Sequence, residues 1–552
     1  MKSDICACVL FHLFVCGGSW SVHGRQQSLY SSRSQTNWNS FANGLDNEAR
    51  HFMQMTDTQH SKQTAEKLWR IQHEKSFWFN QGFKDIEKEI NKKKNIDIAK
   101  NIIIFIGDGM GVSTVTAARI LGGQNNGRPG EENILSFEQL DNVALSKTYN
   151  LGRMTPDSAG TATAILCGAK TNAGILGLDG RAVYSDCAAS GNAEKLDSLL
   201  NWAQAAGKRT GIVTTSRVTH ATPAAAYAKT PNRNWEGDTA MTPADAPCKD
   251  IARQLVEDNP NINVILGGGR MYFLPNTTKD PETYQIESGQ RQDGRNLIEE
   301  WINDKINRMK NYRYVWNRDD FLTVDDNVEF LLGLFEPSYM NFDLLRKESG
   351  PSGEPSLAEM VEMAIKILME GENGFFLLVE GARIDHGHHY NLAKLALHDA
   401  LAFDKAVNVS RRNIEFEDTL MLVTADHSHT FNIAGYPSRG ADILGLVDGG
   451  PQPLDGKPMT ILQYSNGPSY AEPRRDLSGV DTTAYNFMFP SGIPLALETH
   501  SGEDVAIYAS GPMSHLVNGV KEQSYIAHVM AYASCIGPYS TGRTFRQCMT
   551  AR

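Results

Sequence analysis

Asn101-Ile102-Ile103-Ile104-Phe105-Ile106-Gly107-Asp108-Gly109 decides the fold, because five consecutive apolar residues run straight into a glycine turn that carries an acid. A strand with one wet face alternates apolar and polar residues, whereas a strand covered by helices on both faces is apolar throughout. Runs of the same kind recur at Thr210 to Val213, Asn263 to Leu266, Phe375 to Val379 and Leu420 to Thr424. Gly-rich turns and helical stretches separate them, and this alternation predicts an α/β protein: a three-layer α/β/α sandwich around a mostly parallel central sheet.

The polar segment before this region, residues 26–98, has amphipathic stretches at Ala65 to His73 and Phe83 to Ile90 and is expected to form an N-terminal helical arm. After His429 the rhythm breaks into a Gly- and Pro-rich stretch that runs to about Pro494 and reads as an insertion.

Three of the apolar runs end in an acid: Asp108, Glu380 and Asp426. Ligands of open parallel sheets bind beyond the carboxyl ends of the strands, so these acids are expected to share one crevice. Histidines follow two of them, in Asp385-His386-Gly387-His388-His389 and Asp426-His427-Ser428-His429, and His500 comes later. On a helix, Asp385 and His389 lie four residues apart on one face and offer an oxygen and a nitrogen together. A single strand-end acid or histidine is usually a cap or a hydrogen-bonded core residue, but packing gives no reason to concentrate so many. Carboxylate and imidazole without cysteine suit zinc, and an all-oxygen site suits magnesium.

Ser158, in Thr155-Pro156-Asp157-Ser158-Ala159-Gly160, opens a small-residue stretch that predicts a helix. A hydroxyl there is ordinarily an N-cap. The same position also places backbone N–H groups and a helix dipole against an anion such as phosphate.

The chain of 552 residues carries 53 Lys and Arg against 64 Asp and Glu, a formal charge of −11, which argues against a nucleic-acid partner. Its first 25 residues, with an apolar run from Ile5 to Cys16 too short to span a bilayer, are expected to be a secretory signal peptide. Removing them leaves Cys167, Cys187, Cys248, Cys535 and Cys548, an odd number, so at least one thiol is expected to be free in an oxidising compartment. Asn276 and Asn408 begin glycosylation sequons. No closing hydrophobic tail follows Cys535, so a secreted, extracellular or lumenal product without a lipid anchor is expected, a lipid-anchored form arising only if the chain is incomplete.

Taken in order, Gly107-Asp108-Gly109, Pro156 to Gly160, His220-Ala221-Thr222-Pro223, Asn232-Arg233-Asn234-Trp235, Glu380 with Asp385 to His389, Thr424 to His429 and His500 to Asp504 closely resemble the animal alkaline phosphatase family. The resemblance implies a phosphomonoesterase acting at alkaline pH through a phosphoserine at Ser158, with residues 99–552 as the catalytic domain. It implies one zinc on Asp385, His389 and His500, a second on Asp108, Asp426 and His427 with Ser158 able to join, and magnesium on Asp108, Thr222 and Glu380. Arg233 would clamp the phosphate and Asp157 orient it, with His220, His386 and His429 behind the ligands.

A calcium site would fall on Glu282, the Phe335 carbonyl, Glu336 and Glu354, with Glu354 standing where an Asp is common. The disulfides would pair Cys187 with Cys248 and Cys535 with Cys548. The insertion, about 435–498, would be a crown at the interface of a homodimer that the arm embraces. A phosphodiesterase or sulfatase-like hydrolase on the same scaffold, or a catalytically silent binding protein, are the alternatives. The first two usually carry Thr, or a modified Cys or Ser, at the nucleophile, and the last would have lost Ser158, Arg233 or a ligand.

Overall fold

Ile102, Ile104 and Ile106 pack on one face of a strand while Ile103 and Phe105 pack on the other, so the opening run supplies two cores at once. That strand, β1 (Asn101–Gly107), is fully buried and lies in the middle of a ten-stranded sheet. The computed structural model describes residues 71–540 apart from 246, 283–288, 326 and 347–352, all within one unit, Thr58–Arg552. The signal peptide expected over 1–25, the arm before residue 71 and Cys548 therefore lie outside the described residues.

The other strands are β2 (Asn142–Lys147), β3 (Arg209–Arg217), β4 (Val264–Gly268), β5 (Tyr312–Val315), β6 (Phe330–Leu334), β7 (Phe375–Gly381), β8 (Thr419–Ala425), the short β9 (Ser428–His429), β10 (Phe431–Ile433), β11 (Leu462–Tyr464) and β12 (His500–Ser501), then β13 (Val505–Ser510) and β14 (Gly519–Glu522). The main sheet has the order β14-β2-β13-β8-β1-β7-β3-β4-β6-β5. All its pairings are parallel except those of β13 with β2 and β8. All five apolar runs read in the sequence are strands of this sheet.

Helices cover both faces. Ser158–Cys167, Leu199–Ala205, Ala221–Ala225 and Tyr525–Ala533 contribute to the core that holds Ile102, Ile104 and Ile106. Val112–Asn125, Leu357–Met369 and Ala393–Asn413 contribute to the core that holds Ile103 and Phe105, where Phe105 and Phe403 meet edge to face at 5.7 Å. The result is the expected three-layer α/β/α sandwich.

The insertion over 435–498 is almost entirely loop and turn, and its one strand, β11, pairs antiparallel with β10. Of the arm, the helix α1 (Lys75–Asn91) is described, and it buries none of its residues. Cys187 and Cys248 form a disulfide, and Cys167 is a free, buried thiol, as the odd count requires. Cys535 is also disulfide-bonded.

Asn276 is exposed at a turn, which suits a glycan. Asn408 lies half-buried within the helix Ala393–Asn413, and the Ser410 hydroxyl of its sequon is buried and bonded to the Ala406 carbonyl.

Candidate metal centre

The register of three adjacent strands brings the acids together. Ile106 pairs with Glu380 on one side of β1 and Gly107 with Ala425 on the other, so Asp108, Glu380 and Asp426 emerge side by side at the carboxyl edge of the sheet. Gly109 is required here: its φ is +67°, and a Cβ would lie 2.4 Å from the His429 ring. Its N–H donates to Asp426 Oδ1 at 3.0 Å.

The helix α2 (Ser158–Cys167) points its N-terminus into this edge. Asp157, not Ser158, is its N-cap, accepting from the N–H groups of Ala159 and Gly160. Ser158 is thereby released from capping and becomes the first helical residue, 2 % exposed. Its hydroxyl lies 3.1 Å from His427 Nε2 and 3.4 Å from Asp108 Oδ1.

Among the described residues, three groups of side chains offer ligand atoms that lie within 4.8 Å of one another: Asp385, His389, His429 and His500; Asp108, Asp426 and His427; and Asp108, His220 and Glu380. In the first, the helix α3 (Arg383–His389) carries Asp385 and His389 on one face, and the pairing of β12 with β9 sets His500 opposite His429. His389 gives its Nδ1 proton to the Glu498 carbonyl and His500 gives its own to the Pro156 carbonyl. The Nε2 atoms of both rings then face the cluster, 3.2 Å apart and 3.2 and 3.3 Å from the Asp385 carboxylate. Lone pairs converging this closely repel one another unless a cation or proton sits among them, so the donor set fits a metal ion.

The other two groups make the same case through charge. Asp108 Oδ2 and Glu380 Oε1 are buried with no hydrogen-bond partner among the described residues. Burial first, and then the charges of Asp426, Asp385 and Glu380, push the Asp108 carboxyl well above its usual range. Burial likewise raises Glu380 to about 7, against the hydrogen bonds of Thr214 and Ser216. Burial also raises Asp426 and pushes His427 well below its ordinary value, leaving that imidazole neutral, as a ligand must be. Asp385 behaves oppositely: burial would raise it, but His389 and His429 hold it well below the carboxylate range.

Arg233 closes the open side. One of its nitrogens donates to Asp157 Oδ2 at 3.1 Å and another to His220 Nε2 at 3.0 Å. Burial, Arg233 and Arg217 push His220 well below its ordinary pKa, so it is neutral and accepts from that nitrogen. Its ring proton is then on Nδ1, which has no partner among the described residues. Burial works against the Arg233 charge, but Asp157 and Asp108 outweigh it and raise the pKa. His386 sits behind, bonded by Arg383 at 3.0 Å and packed on Tyr339.

The structure thus gathers Asp108, Asp157, Ser158, His220, Thr222, Arg233, Glu380, Asp385, His386, His389, Asp426, His427, His429 and His500 at one sheet edge. The residues expected to hold calcium lie elsewhere. Glu336 and Glu354 meet around Asn341, and burial lifts them to about 7 and about 9. Glu282 is held by Arg270, itself bidentate on Asp280. Phe335 gives its N–H to the Gly267 carbonyl and meets the Phe321 ring edge to face.

Sequence reasoning missed several supporting side chains. Thr161 Oγ1 donates to Asp426 Oδ2, Gln523 donates to the Asp426 carbonyl, and Thr214 and Ser216 donate to Glu380 Oε2. Glu498 stands two residues before His500, and this nearness to a candidate ligand is the one signal the sequence offers for it.

The sequence model of the family described as alkaline phosphatase matches residues 99–536. The chain is 49% identical over 474 residues to the alkaline phosphatase of Gadus morhua, covering 84% of this chain and 98% of that one. It is 48% identical over 475 residues to the tissue-nonspecific isozyme of alkaline phosphatase from Homo sapiens, covering 84% and 88%. Among solved structures, that of Thermus thermophilus alkaline phosphatase superposes with a TM-score of 0.57 at 24% identity over 80% of this chain and 93% of that one, which supports the fold. With a family match over most of its length and close relatives at about half identity, the chain belongs to the alkaline phosphatase family.

Proposed function

We propose that this chain is a secreted, metal-dependent phosphomonoesterase that hydrolyses phosphate monoesters to alcohol and inorganic phosphate through a phosphoserine at Ser158. The observation that carries the reading is the Ser158 hydroxyl at the N-terminus of α2, flanked by His427 and Asp108, with Arg233 held by the neighbouring Asp157.

Asp385, His389 and His500 would hold one zinc, Asp108, Asp426 and His427 a second, and Asp108, Thr222 and Glu380 magnesium. When bound, these ions supply Lewis acidity that lowers the pKa of a hydroxyl and neutralises a departing alkoxide. Arg233, tethered by Asp157 and His220, presents its planar fork to two phosphate oxygens, a geometry lysine cannot copy. The positive end of the α2 dipole faces the same anion.

Ser158 Oγ gives up its proton and attacks phosphorus in line, and the alcohol leaves from the opposite side. Water then attacks the phosphoserine, returning the Ser158 hydroxyl and releasing phosphate. Glu336 and Glu354, with Glu282 and the Phe335 carbonyl, would take calcium; the buried Glu354 Oε2, without a hydrogen-bond partner among the described residues, supports this.

The test is hydrolysis of p-nitrophenyl phosphate at alkaline pH before and after chelation, beside a phosphodiester and a sulfate ester. The monoester should turn over fastest, and chelation should remove activity until zinc and magnesium are restored. Faster turnover of the diester or the sulfate, or indifference to chelation, would contradict the reading.

The arm supports a homodimer. Phe79, Phe83, Ile86 and Ile90 make a stripe along α1, all more than half exposed, and a helix of 17 residues with nothing buried needs a partner surface to persist. Phe83→Glu with Ile90→Glu should halve the mass seen by light scattering; an unchanged mass would take the arm out of the dimer contact. No helix among the described residues is long and apolar enough to cross a membrane.

A further inference from the structure

Glu498 is 1 % exposed and belongs to none of the ligand sets above. Its Oε1 accepts from the Thr430 N–H at 2.7 Å and the Thr430 hydroxyl at 2.6 Å, and its Oε2 pairs with His429 Nδ1. The other nitrogen of that ring, Nε2, meets Asp385 Oδ1 at 2.6 Å. The main chain of Glu498 is engaged as well: its carbonyl accepts from His389 Nδ1, and its N–H donates to the His389 carbonyl at 2.9 Å. Two residues on, β12 delivers His500.

We propose that Glu498 is a positioning residue for the cation-binding cluster of Asp385, His389 and His500, acting through two imidazoles at once. The inference rests on the metal role proposed above. A carbonyl only accepts, so the Glu498 carbonyl keeps the His389 proton on Nδ1 and leaves Nε2 bare toward the cluster. The side chain works through His429. With a carboxylate at each nitrogen, that ring has no lone pair to offer an ion, so it bridges instead, fixing the Asp385 carboxylate against a ring that Glu498 holds. Without the Glu498 carboxylate, His429 Nδ1 is left buried and unpaired, the ring is free to turn, and Asp385 Oδ1 loses its fixed partner.

The test uses the full-length zinc-loaded protein and follows zinc release to a chromogenic chelator, with unfolding temperatures of the loaded and stripped forms. Glu498→Ala should release zinc about 10- to 100-fold faster, the range for losing a partner behind a ligand. The zinc-dependent rise in unfolding temperature should shrink with it. Glu498→Gln keeps the shape: its oxygen can serve Thr430 while its amide donates to a neutral His429 that still donates to Asp385, so release should stay within about threefold of wild type.

If Glu498→Ala does not fold, Glu498→Asp, which withdraws the charge by one methylene, should release zinc faster than Glu498→Gln. Wild-type release from the Ala variant, or from the Asp variant in its place, would overturn the inference, as would equal loss of stability in loaded and stripped forms with release unchanged. A wild-type chain that retains no zinc would instead remove the metal reading, and this inference with it.

Discussion

Ser158→Ala should lower kcat/KM for p-nitrophenyl phosphate by at least about 10³-fold, roughly 4 kcal/mol of barrier, with metal content unchanged. The substitution removes one oxygen and leaves the ligands named above in place. Asp157 still caps α2, Arg233 still has both its tethers, and the first group, Asp385, His389 and His500, makes no bond to Ser158. What disappears is the nucleophile, so any residual turnover is direct attack by water on a phosphate that remains bound and polarised. The KM should therefore move much less than kcat. A variant within tenfold of wild type in kcat/KM would show that the hydroxyl is a bystander that happens to stand near His427 and Asp108.

Asp108→Asn should have opposite effects on the two forms of the protein. Asp108 belongs to two of the three ligand groups, and its carboxyl is destabilised by burial and by Asp426, Asp385 and Glu380. An acid whose pKa is raised on folding opposes folding at any pH above its unfolded value, because the charged form is the one the fold disfavours. Replacing it with a neutral isostere should thus raise the unfolding temperature of the metal-stripped protein. With metals present the sign reverses, since the same charge is what binds them, and activity should fall by about 10³-fold or more as two sites lose a shared ligand. Differential scanning calorimetry of stripped and loaded protein checks both signs. A fall in stability of the stripped form would contradict the account of the buried charges.

The chemistry of this site was legible in the sequence because it sits at the ends of unbroken apolar runs. β1, β7 and β8 are buried on both faces, so their residues announce the strand, and Asp108, Glu380 and Asp426 mark its end. β6 and β13 were missed although each is an apolar run, whereas β2 and β14 were not read for the converse reason. These two lie on the side of the sheet where residues such as Val143 and Val520 face solvent, and β2 alternates between buried and open positions. Without a continuous apolar run, short strands of this kind resemble loop.

The supporting side chains were hidden by distance along the chain. Glu498 acts on His429, 69 residues earlier, and Gln523 acts on Asp426, 97 residues earlier, and beyond the nearness of Glu498 to His500 nothing local distinguishes either from a surface residue. The same limit explains why Ser158 first looked like a cap: only the structure shows that Asp157 takes that task and leaves the Ser158 hydroxyl free.

The central claim is that the Ser158 oxygen itself receives the phosphoryl group. The direct measurement is to mix the metal-loaded protein with a phosphate monoester, quench rapidly in acid, and map the chain by peptide mass spectrometry. One phosphoryl group on the peptide that contains Ser158, absent from the stripped protein and from Ser158→Ala, is the predicted result. A turning-over enzyme that never carries phosphate, or carries it on another residue, would contradict it.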